Sequence, residues 1–168
     1  MRVFLVGYMG SGKTTAGKKL AAKAGCKFVD LDVAVEQFSG KTISHIFKTE
    51  GEAAFRELEK QCLHDTLKLE NAVIATGGGT PCFFDNMHWM NTNGITIYLK
   101  MTAGSLYHRL GPGKAQRPLI QNLSDIDLMG FITLQVAERH VFYSKAHGTI
   151  PGQSIKTEEL LALIETLK

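Results

Sequence analysis

The stretch GYMGSGKTT at residues 7–15 decides the fold class of this chain. Gly7, Gly12, Lys13 and Thr14 match the pattern G-x-x-x-x-G-K-[ST], between an apolar run and a segment of helical period, which is the context this pattern requires. Glycines let successive backbone N–H groups point at a phosphate, and the next helix adds the positive end of its dipole. The lysine then reaches the outer phosphates, and the threonine hydroxyl can bind Mg²⁺. The loop therefore predicts a site for the phosphate chain of a nucleotide, but it does not name the acceptor.

Short apolar runs alternate with longer segments of helical period, a pattern typical of βαβ units in an α/β fold. We expect five short parallel strands with helices on both faces of the sheet. The predicted strands are residues 3–6, 27–32, 72–76, 95–100 and 148–150. The predicted helices are residues 13–24, 33–38, 44–68 with a break near Gly51, 83–91, 102–110, 126–146 and 157–167.

The length of 168 residues fits one domain, residues 1–168, with a sizeable core. Within it, residues 111–127 (GPGKAQRPLIQNLSDID) are rich in Gly, Pro and polar residues and have neither helical nor strand period. A loop of this length in a compact domain is usually functional, so we interpret this segment as a lid.

Charge and hydropathy argue against several other classes of protein. The formal net charge is only +3, and the basic residues form no run, which disfavours a nucleic-acid surface. The apolar stretches are far shorter than the roughly 20 residues of a membrane-spanning helix, and the first one stops at Gly7, too early for an export signal. Three scattered cysteines indicate free thiols. We expect a cytoplasmic monomer that acts on small molecules, without nucleic-acid or membrane partners.

Two aspartates end the second predicted strand. Asp30 and Asp32 are two residues apart, which in a strand places both carboxylates on the same face at the carboxyl edge, where open α/β sheets bind ligands. One carboxylate could hold Mg²⁺ through water, and the other could orient an acceptor hydroxyl. A pair of solvated strand-end residues is the alternative.

Two arginines border apolar helix faces. Arg56, in GEAAFRELEKQCLHDTL (residues 51–67), lies beside a buried stripe, with Glu59 three residues further on. If this pair is exposed, it adds only a few tenths of a kcal/mol. Arg139 falls inside the apolar face of the helix predicted at 126–146, and an inward guanidinium needs an anion. Snorkelling, or pairing with a structural carboxylate, would be the alternative for Arg139.

Three consecutive glycines, Gly77, Gly78 and Gly79, follow the third predicted strand. Their entropic cost indicates that something approaches the backbone closely, and a ligand is the natural candidate. A tight turn between the strand and the next loop is the alternative.

Together these residues resemble the shikimate kinases, small P-loop enzymes of aromatic amino-acid biosynthesis. The resemblance rests on GYMGSGKTT, DLD, FRELE, TGGG, QRPL in the predicted lid and the late ER pair, in the family's order and approximate spacing. It implies the three-layer fold of the nucleoside monophosphate kinases, with a five-stranded parallel sheet of order 2-3-1-4-5 and a lid over the nucleotide. It also implies ATP-dependent phosphorylation of the 3-hydroxyl of shikimate to shikimate 3-phosphate in the chorismate pathway, with ADP as the other product.

The resemblance also implies a role for individual residues. Asp32, Lys13 and Arg117 would be catalytic, with Asp32 at the ring hydroxyls and the two cations at the phosphates. Thr14 and Asp30 would hold Mg²⁺. The implied nucleotide-binding residues are Gly10, Ser11, Gly12, Lys13, Thr14, Thr15, Arg117 and Gln153. Shikimate would bind largely within a subregion at about residues 32–60. The implied shikimate-binding residues are Asp32, Arg56 and Arg139 on the polar side, Glu59 beside Arg56, Gly77, Gly78 and Gly79, and Ile43, Phe47 and Phe55 on the apolar side.

Three alternative functions stay open at this stage. A gluconate kinase would share the glycine loop and lid but has no obvious need for FRELE together with TGGG. A nucleoside monophosphate kinase would need more arginines for its phosphorylated acceptor. A GTP-dependent switch should carry an N-K-x-D motif, which does not occur in this sequence.

Overall fold

Five parallel strands form the sheet at the centre of the fold, as seen in a computed structural model that describes residues 1–116 and 120–168. The strands are β1 (Arg2–Val6), β2 (Lys27–Asp30), β3 (Ala72–Ala75), β4 (Ile95–Lys100) and β5 (Gly148–Pro151). Their order is β2-β3-β1-β4-β5, and each neighbouring pair is parallel. The predicted strand order is therefore confirmed.

Helices cover both faces of this sheet. They are α1 (Lys13–Ala24), α2 (Leu31–Ser39), α3 (Ile43–Thr49), α4 (Gly51–Asp65), α5 (Asn86–Asn93), α6 (Ala103–Leu110), α7 (Asp125–Tyr143) and α8 (Thr157–Thr166). Short 3₁₀ turns occupy Thr66–Lys68, Thr80–Cys82 and Gly111–Gln116. The predicted break near Gly51 is confirmed, because α3 ends just before this residue, whose φ of 84° favours glycine.

The central strand β1 supplies side chains to two cores. Val3 and Leu5 pack with α1 and α8 on one face, whereas Phe4 and Val6 pack with α2 to α7 on the other. This alternation is the period-two pattern of a strand buried on both faces, as parallel sheets require. Because the strands are parallel, the glycine loop after β1 and the start of α2 after β2 lie at the same carboxyl edge of the sheet.

The second strand is shorter than the predicted 27–32, because a helix begins at Leu31. The Asp30 carboxylate accepts a hydrogen bond from the Asp32 N–H at 3.2 Å and caps α2. An aspartate at this position satisfies one of the unpaired N–H groups of a first helical turn. The prediction that Asp30 and Asp32 share a strand face is therefore wrong, since Asp32 lies in the first turn of α2.

The predicted start of the fourth helical segment is also wrong. The helix expected at 83–91 starts only at Asn86, because the 3₁₀ turn Thr80–Cys82 comes first and Phe84 adopts a left-handed φ of 51°. The last residues of the approximate lid segment, 125–127, overlap the first turn of α7, which the Ser124 hydroxyl caps by accepting from the Asp127 N–H.

In the described part of the chain, no helix is long and apolar enough to cross a membrane. The sequence did not reveal one surface feature of α7. Its exposed side carries Ile126, Leu134 and Val141, which are 87%, 60% and 61% exposed.

Candidate active site

The glycine loop joins β1 to the amino terminus of α1. Gly10 and Gly12 have φ values of 79° and 92°, which wrap the backbone around the Lys13 side chain. The buried Lys13 ammonium donates to the carbonyl oxygens of Gly7 at 2.7 Å and Tyr8 at 2.9 Å. Burial lowers the pKa of Lys13 to about 8, although Asp32 and Asp30 attract its charge.

The other loop residues divide between the interior and the surface. The Ser11 hydroxyl is fully buried and has no hydrogen-bond partner among the described residues, while its N–H donates to the Tyr8 carbonyl at 3.1 Å. Its side chain therefore belongs to the packing of the loop. Thr14 and Thr15 are exposed at the start of α1.

A hydroxyl and a carboxylate meet beside the loop. The Thr14 hydroxyl donates to Asp30 Oδ2 at 2.8 Å, so the side chain that caps α2 also reaches α1. Hydroxyl and carboxylate oxygens are the hard ligands that Mg²⁺ prefers. These two residues could therefore hold a divalent cation at the edge of a phosphate site.

A cavity of about 170 Å³ opens next to the loop. It is lined by Met9, Asp32, Ile43, Phe47, Phe55, Arg56, Glu59, Gly77, Gly78, Gly79 and Arg139. Every residue that the resemblance implies for the acceptor lines it, and Met9 of the glycine loop does so as well. We call this space the acceptor cavity. Size alone does not single it out, because a cavity of about 410 Å³ lies away from the loop beside Cys26 and Asn71. The acceptor cavity brings two arginines and two carboxylates together beside the loop.

Arg56 is held inside a network of acidic groups. Its Nη1 donates to Glu59 at 2.8 Å, and its Nη2 to Glu52 at 3.1 Å. Glu59 is only 1% exposed and also accepts from the Thr80 hydroxyl at 2.5 Å. The few tenths of a kcal/mol expected for an exposed pair do not apply, because removing one partner of a buried pair typically costs about 3–5 kcal/mol.

Arg139 has aromatic partners instead. The Arg139 Cζ lies 5.3 Å from the centroid of the Tyr8 ring, and the guanidinium is close enough to the Tyr143 hydroxyl to lower its pKa, which burial raises. Among the described residues, no carboxylate forms an ion pair with Arg139. The cation is therefore free to meet an anion from outside the chain.

The three glycines make room for charged side chains of the protein itself. A Cβ on Gly77 would come within 2.7 Å of Glu59 Oε1 and 3.0 Å of Asp32 Oδ1. A Cβ on Gly79 would come within 2.5 Å of Arg56 Nη2. A larger residue at either position would displace the charged groups that line the cavity.

Asp32 sits where several charges meet. Burial raises its pKa to about 6, with further contributions from Asp30 and Glu59 that Lys13 and Arg56 oppose. A carboxylate with a pKa near neutrality can both orient a hydroxyl and accept its proton.

A further cation connects the glycine loop to the segment after β5. Arg109 donates to the carbonyls of Gly10 at 3.2 Å, Gly152 at 3.0 Å and Gln153 at 3.0 Å. The Gln153 amide, which is predicted to contact the nucleotide, donates to Ser105 at 2.6 Å. Arg117, also predicted to contact the nucleotide, lies outside the described residues.

We did not recognise four residues of the site from the sequence, although three of them lie inside or beside a recognised motif. Tyr8 and Met9 are inside the glycine loop, and Thr80 follows the three glycines. Tyr143 lies one helical turn after Arg139, and its hydroxyl donates to the Gly78 carbonyl at 2.5 Å. A search for polar or aromatic residues one turn from a motif residue would have found Tyr143.

The glycine loop between β1 and α1, together with sheet order 2-3-1-4-5, defines a P-loop kinase fold. A family model described as shikimate kinase matches residues 9–168. A shikimate kinase of Phocaeicola vulgatus is 44% identical over 168 residues, covering 99% of this chain and 96% of that protein. One from Parabacteroides distasonis is 48% identical over 157 residues, covering 94% and 91%. This chain belongs to the shikimate kinase family.

Solved structures agree. The crystal structure of a shikimate kinase from Bacteroides thetaiotaomicron is 42% identical, with a TM-score of 0.88 and coverage of 99% of this chain and 96% of that one. An Acinetobacter baumannii shikimate kinase in complex with shikimate is 32% identical, with a TM-score of 0.88 and coverage of 99% and 94%. A deoxyadenosine kinase at 14% identity and a TM-score of 0.60 shares the fold.

Proposed function

We propose that this protein transfers the γ-phosphoryl group of ATP to the 3-hydroxyl of shikimate, forming shikimate 3-phosphate and ADP in the chorismate pathway. The observation that carries the proposal is the acceptor cavity, which joins Arg56, Arg139 and Asp32 at the edge of the glycine loop. An acceptor for this cavity needs an anionic group for the arginines and an alcohol for the carboxylate. Family membership supports shikimate, a hydroxylated carboxylic acid, as that acceptor.

Arg56 and Arg139 bind the shikimate carboxylate in this proposal. A planar guanidinium makes paired hydrogen bonds to a carboxylate, which fixes orientation as well as charge. Arg139 brings a cation that is free of acidic partners among the described residues. Ile43, Phe47 and Phe55 supply an apolar wall for the carbon ring, and the Phe47 and Phe55 rings already pack at 4.8 Å.

The transfer step involves Asp32 of the acceptor cavity and Lys13 of the glycine loop. The acceptor oxygen forms a bond to the γ-phosphorus, while the bond from that phosphorus to the bridging oxygen of ADP breaks. Asp32 orients the hydroxyl and takes its proton late, because such transfers pass through a loose transition state. Lys13 stabilises charge on the phosphoryl oxygens, and we assign Arg117 the same role from the lid. The Asp32 pKa of about 6 leaves its carboxylate ionised and ready to accept at neutral pH.

Thr14 and Asp30 would hold Mg²⁺ in this scheme. Their oxygens, 2.8 Å apart, suit a hard cation. When bound, the ion neutralises charge on the phosphates. Backbone groups of Gly10, Ser11 and Gly12, with the Thr15 end of α1, would receive the phosphates, because an exposed helix amino terminus favours anions.

The remaining proposals concern organisation. We propose one kinase domain over residues 1–168, with a lid at about 111–127 and a shikimate-binding subregion at about 32–60. We propose that the protein is a cytoplasmic monomer, for which sedimentation equilibrium is the direct test. The exposed apolar side of α7 makes that measurement informative, because self-association would bury Leu134 and Val141.

A coupled assay of ADP release from Mg·ATP tests the proposal. Shikimate and gluconate are offered separately, beside a control without acceptor. Release that requires shikimate supports the proposal. Release with gluconate alone would favour a gluconate kinase, and equal release in all three reactions would mean that the chain is a nucleotide hydrolase or switch.

A further inference from the structure

We propose that Phe83 is a positioning residue for acceptor binding and that it acts through Arg56. The inference rests on the proposed function, because it assigns to Phe83 the task of orienting the guanidinium that receives the shikimate carboxylate. Phe83 lies just after the 3₁₀ turn that follows the three glycines, and it does not line the acceptor cavity.

Two aromatic rings lie against the Arg56 guanidinium. Its Cζ is 4.0 Å from the ring centroid of Phe83 and 5.0 Å from that of Phe55. A cation is attracted to the face of an aromatic ring within about 6 Å of the centroid, and the shorter distance lies well inside this range. Phe83 is therefore the closer of the two rings that fix the plane of the guanidinium.

The hydrogen bonds of Arg56 leave one end of the group available. A guanidinium carries five N–H donors. Nε and one N–H of Nη2 donate to Glu52, and one N–H of Nη1 donates to Glu59. One N–H on each terminal nitrogen then has no partner among the described residues. These two donors are available to a carboxylate, and the direction in which they point depends on the plane of the group.

The Phe83 ring also covers part of the Arg56 side chain. A second cavity, of about 570 Å³, is lined by Glu52, Phe83 and Phe84 as well as Arg56. The Arg56 side chain is only 10% exposed. Without the ring, water from this cavity would reach the face of the guanidinium and weaken its contacts with carboxylates. The ring thus contributes both orientation and a drier environment.

The main test replaces Phe83 by Leu, which keeps an apolar side chain but removes the flat ring. We expect the KM for shikimate to rise roughly 5- to 30-fold, with kcat within about twofold and the KM for ATP unchanged. Phe83→Tyr keeps the ring and should leave the KM for shikimate within about twofold of the parent value. The matched control is Phe84→Leu at the next residue, which is 50% exposed and contacts Lys60 instead of Arg56.

A double-mutant cycle tests the route of the effect. Glu52→Gln disturbs the same guanidinium from its Nε side, so its effect on the KM for shikimate should not multiply simply with that of Phe83→Leu. We expect the double variant to depart from the product of the single effects by more than about threefold. A general structural role would give independent effects, because the two side chains would then share no target.

Four results would overturn the inference. They are an unchanged KM for shikimate in Phe83→Leu, an equal rise in Phe83→Tyr, independent effects in the double-mutant cycle, or a rise in the KM for ATP together with a loss of thermal stability. Failure of the proposed function looks different, because the parent protein would then not turn over shikimate at all.

Discussion

Replacing Gly79 by Ala should damage acceptor binding without altering the backbone. Gly79 has φ of −88° and ψ of −19°, which alanine adopts without strain. The new Cβ would lie 2.5 Å from Arg56 Nη2 and 2.7 Å from Nη1, whereas ordinary contacts begin at 3.4 Å. The guanidinium must therefore move by about 0.9 Å.

The Arg56 guanidinium cannot make this shift without disturbing its other contacts. Glu52, Glu59, Phe55 and Phe83 all hold its guanidinium, so the shift breaks contacts or strains them. A misplacement of about 1 Å in a binding group can cost about 10²-fold in rate, so we expect kcat/KM for shikimate to fall by about that factor. Overpacking should also lower the free energy of unfolding by about 1–3 kcal/mol.

The assay is steady-state ADP release with shikimate and ATP varied in turn, together with urea denaturation. The KM for ATP should stay near the parent value, because the substitution is directed at Arg56 and not at the glycine loop. Gly104→Ala is the control: this helical glycine has no neighbour within 4 Å of an added Cβ, and alanine there should stabilise the protein by roughly 0.5–1 kcal/mol with full activity. If Gly79→Ala retained kcat/KM within threefold, Arg56 would either be mobile or have no part in acceptor binding.

Three other predictions address the remaining charged groups. Arg139→Ala should weaken shikimate binding by about 2–5 kcal/mol, as seen by calorimetry, and leave nucleotide affinity nearly unchanged; unaltered shikimate affinity would remove Arg139 from the site. Asp32→Asn should preserve folding and ATP binding while lowering kcat by roughly 10² to 10⁴, and near-normal turnover would contradict its assignment as the base. The pH profile of kcat/KM should be bell-shaped. It should fall below about pH 6, where Asp32, whose pKa is raised by burial, becomes protonated, and above about pH 8, where Lys13, whose pKa is lowered by burial, loses its charge. An acidic limb near pH 4 would mean that the carboxyl titrates as if it were in water.

The alternation of strands and helices and the glycine loop could be predicted from local patterns, whereas the strand order and the members of the acceptor cavity, apart from Met9, were implied by the family resemblance. Apolar runs of strand length alternate with helical periods, and the loop motif sits between two of them. The resemblance to a family then implied residues that the structure brings together around one cavity, from Asp32 in α2 to Arg139 in α7. The spatial meeting of these distant segments follows from the parallel sheet, which gathers strand ends at one edge.

Asp30 and Asp32 were correctly predicted to lie together at the end of the second strand, although the local structure predicted for them was wrong. We expected them on one strand face, but Asp30 ends β2 and caps α2, which contains Asp32. A strand followed by a capped helix and a strand two residues longer have nearly the same hydrophobic pattern. The choice depends on a hydrogen bond between neighbouring residues that periodicity does not detect.

The sequence by itself determined the fold class, the phosphate loop and the chemical types of the acceptor site, because motif spacing and hydrophobic period are local properties of the chain. Only the tertiary structure decided how the charges are distributed. It buried the Arg56–Glu59 pair that would be weak on an exposed helix, gave Arg139 two tyrosines instead of a carboxylate, and placed Phe83 on the Arg56 guanidinium. Burial and pairing depend on residues far apart in the chain, and the energy of a charge depends on both.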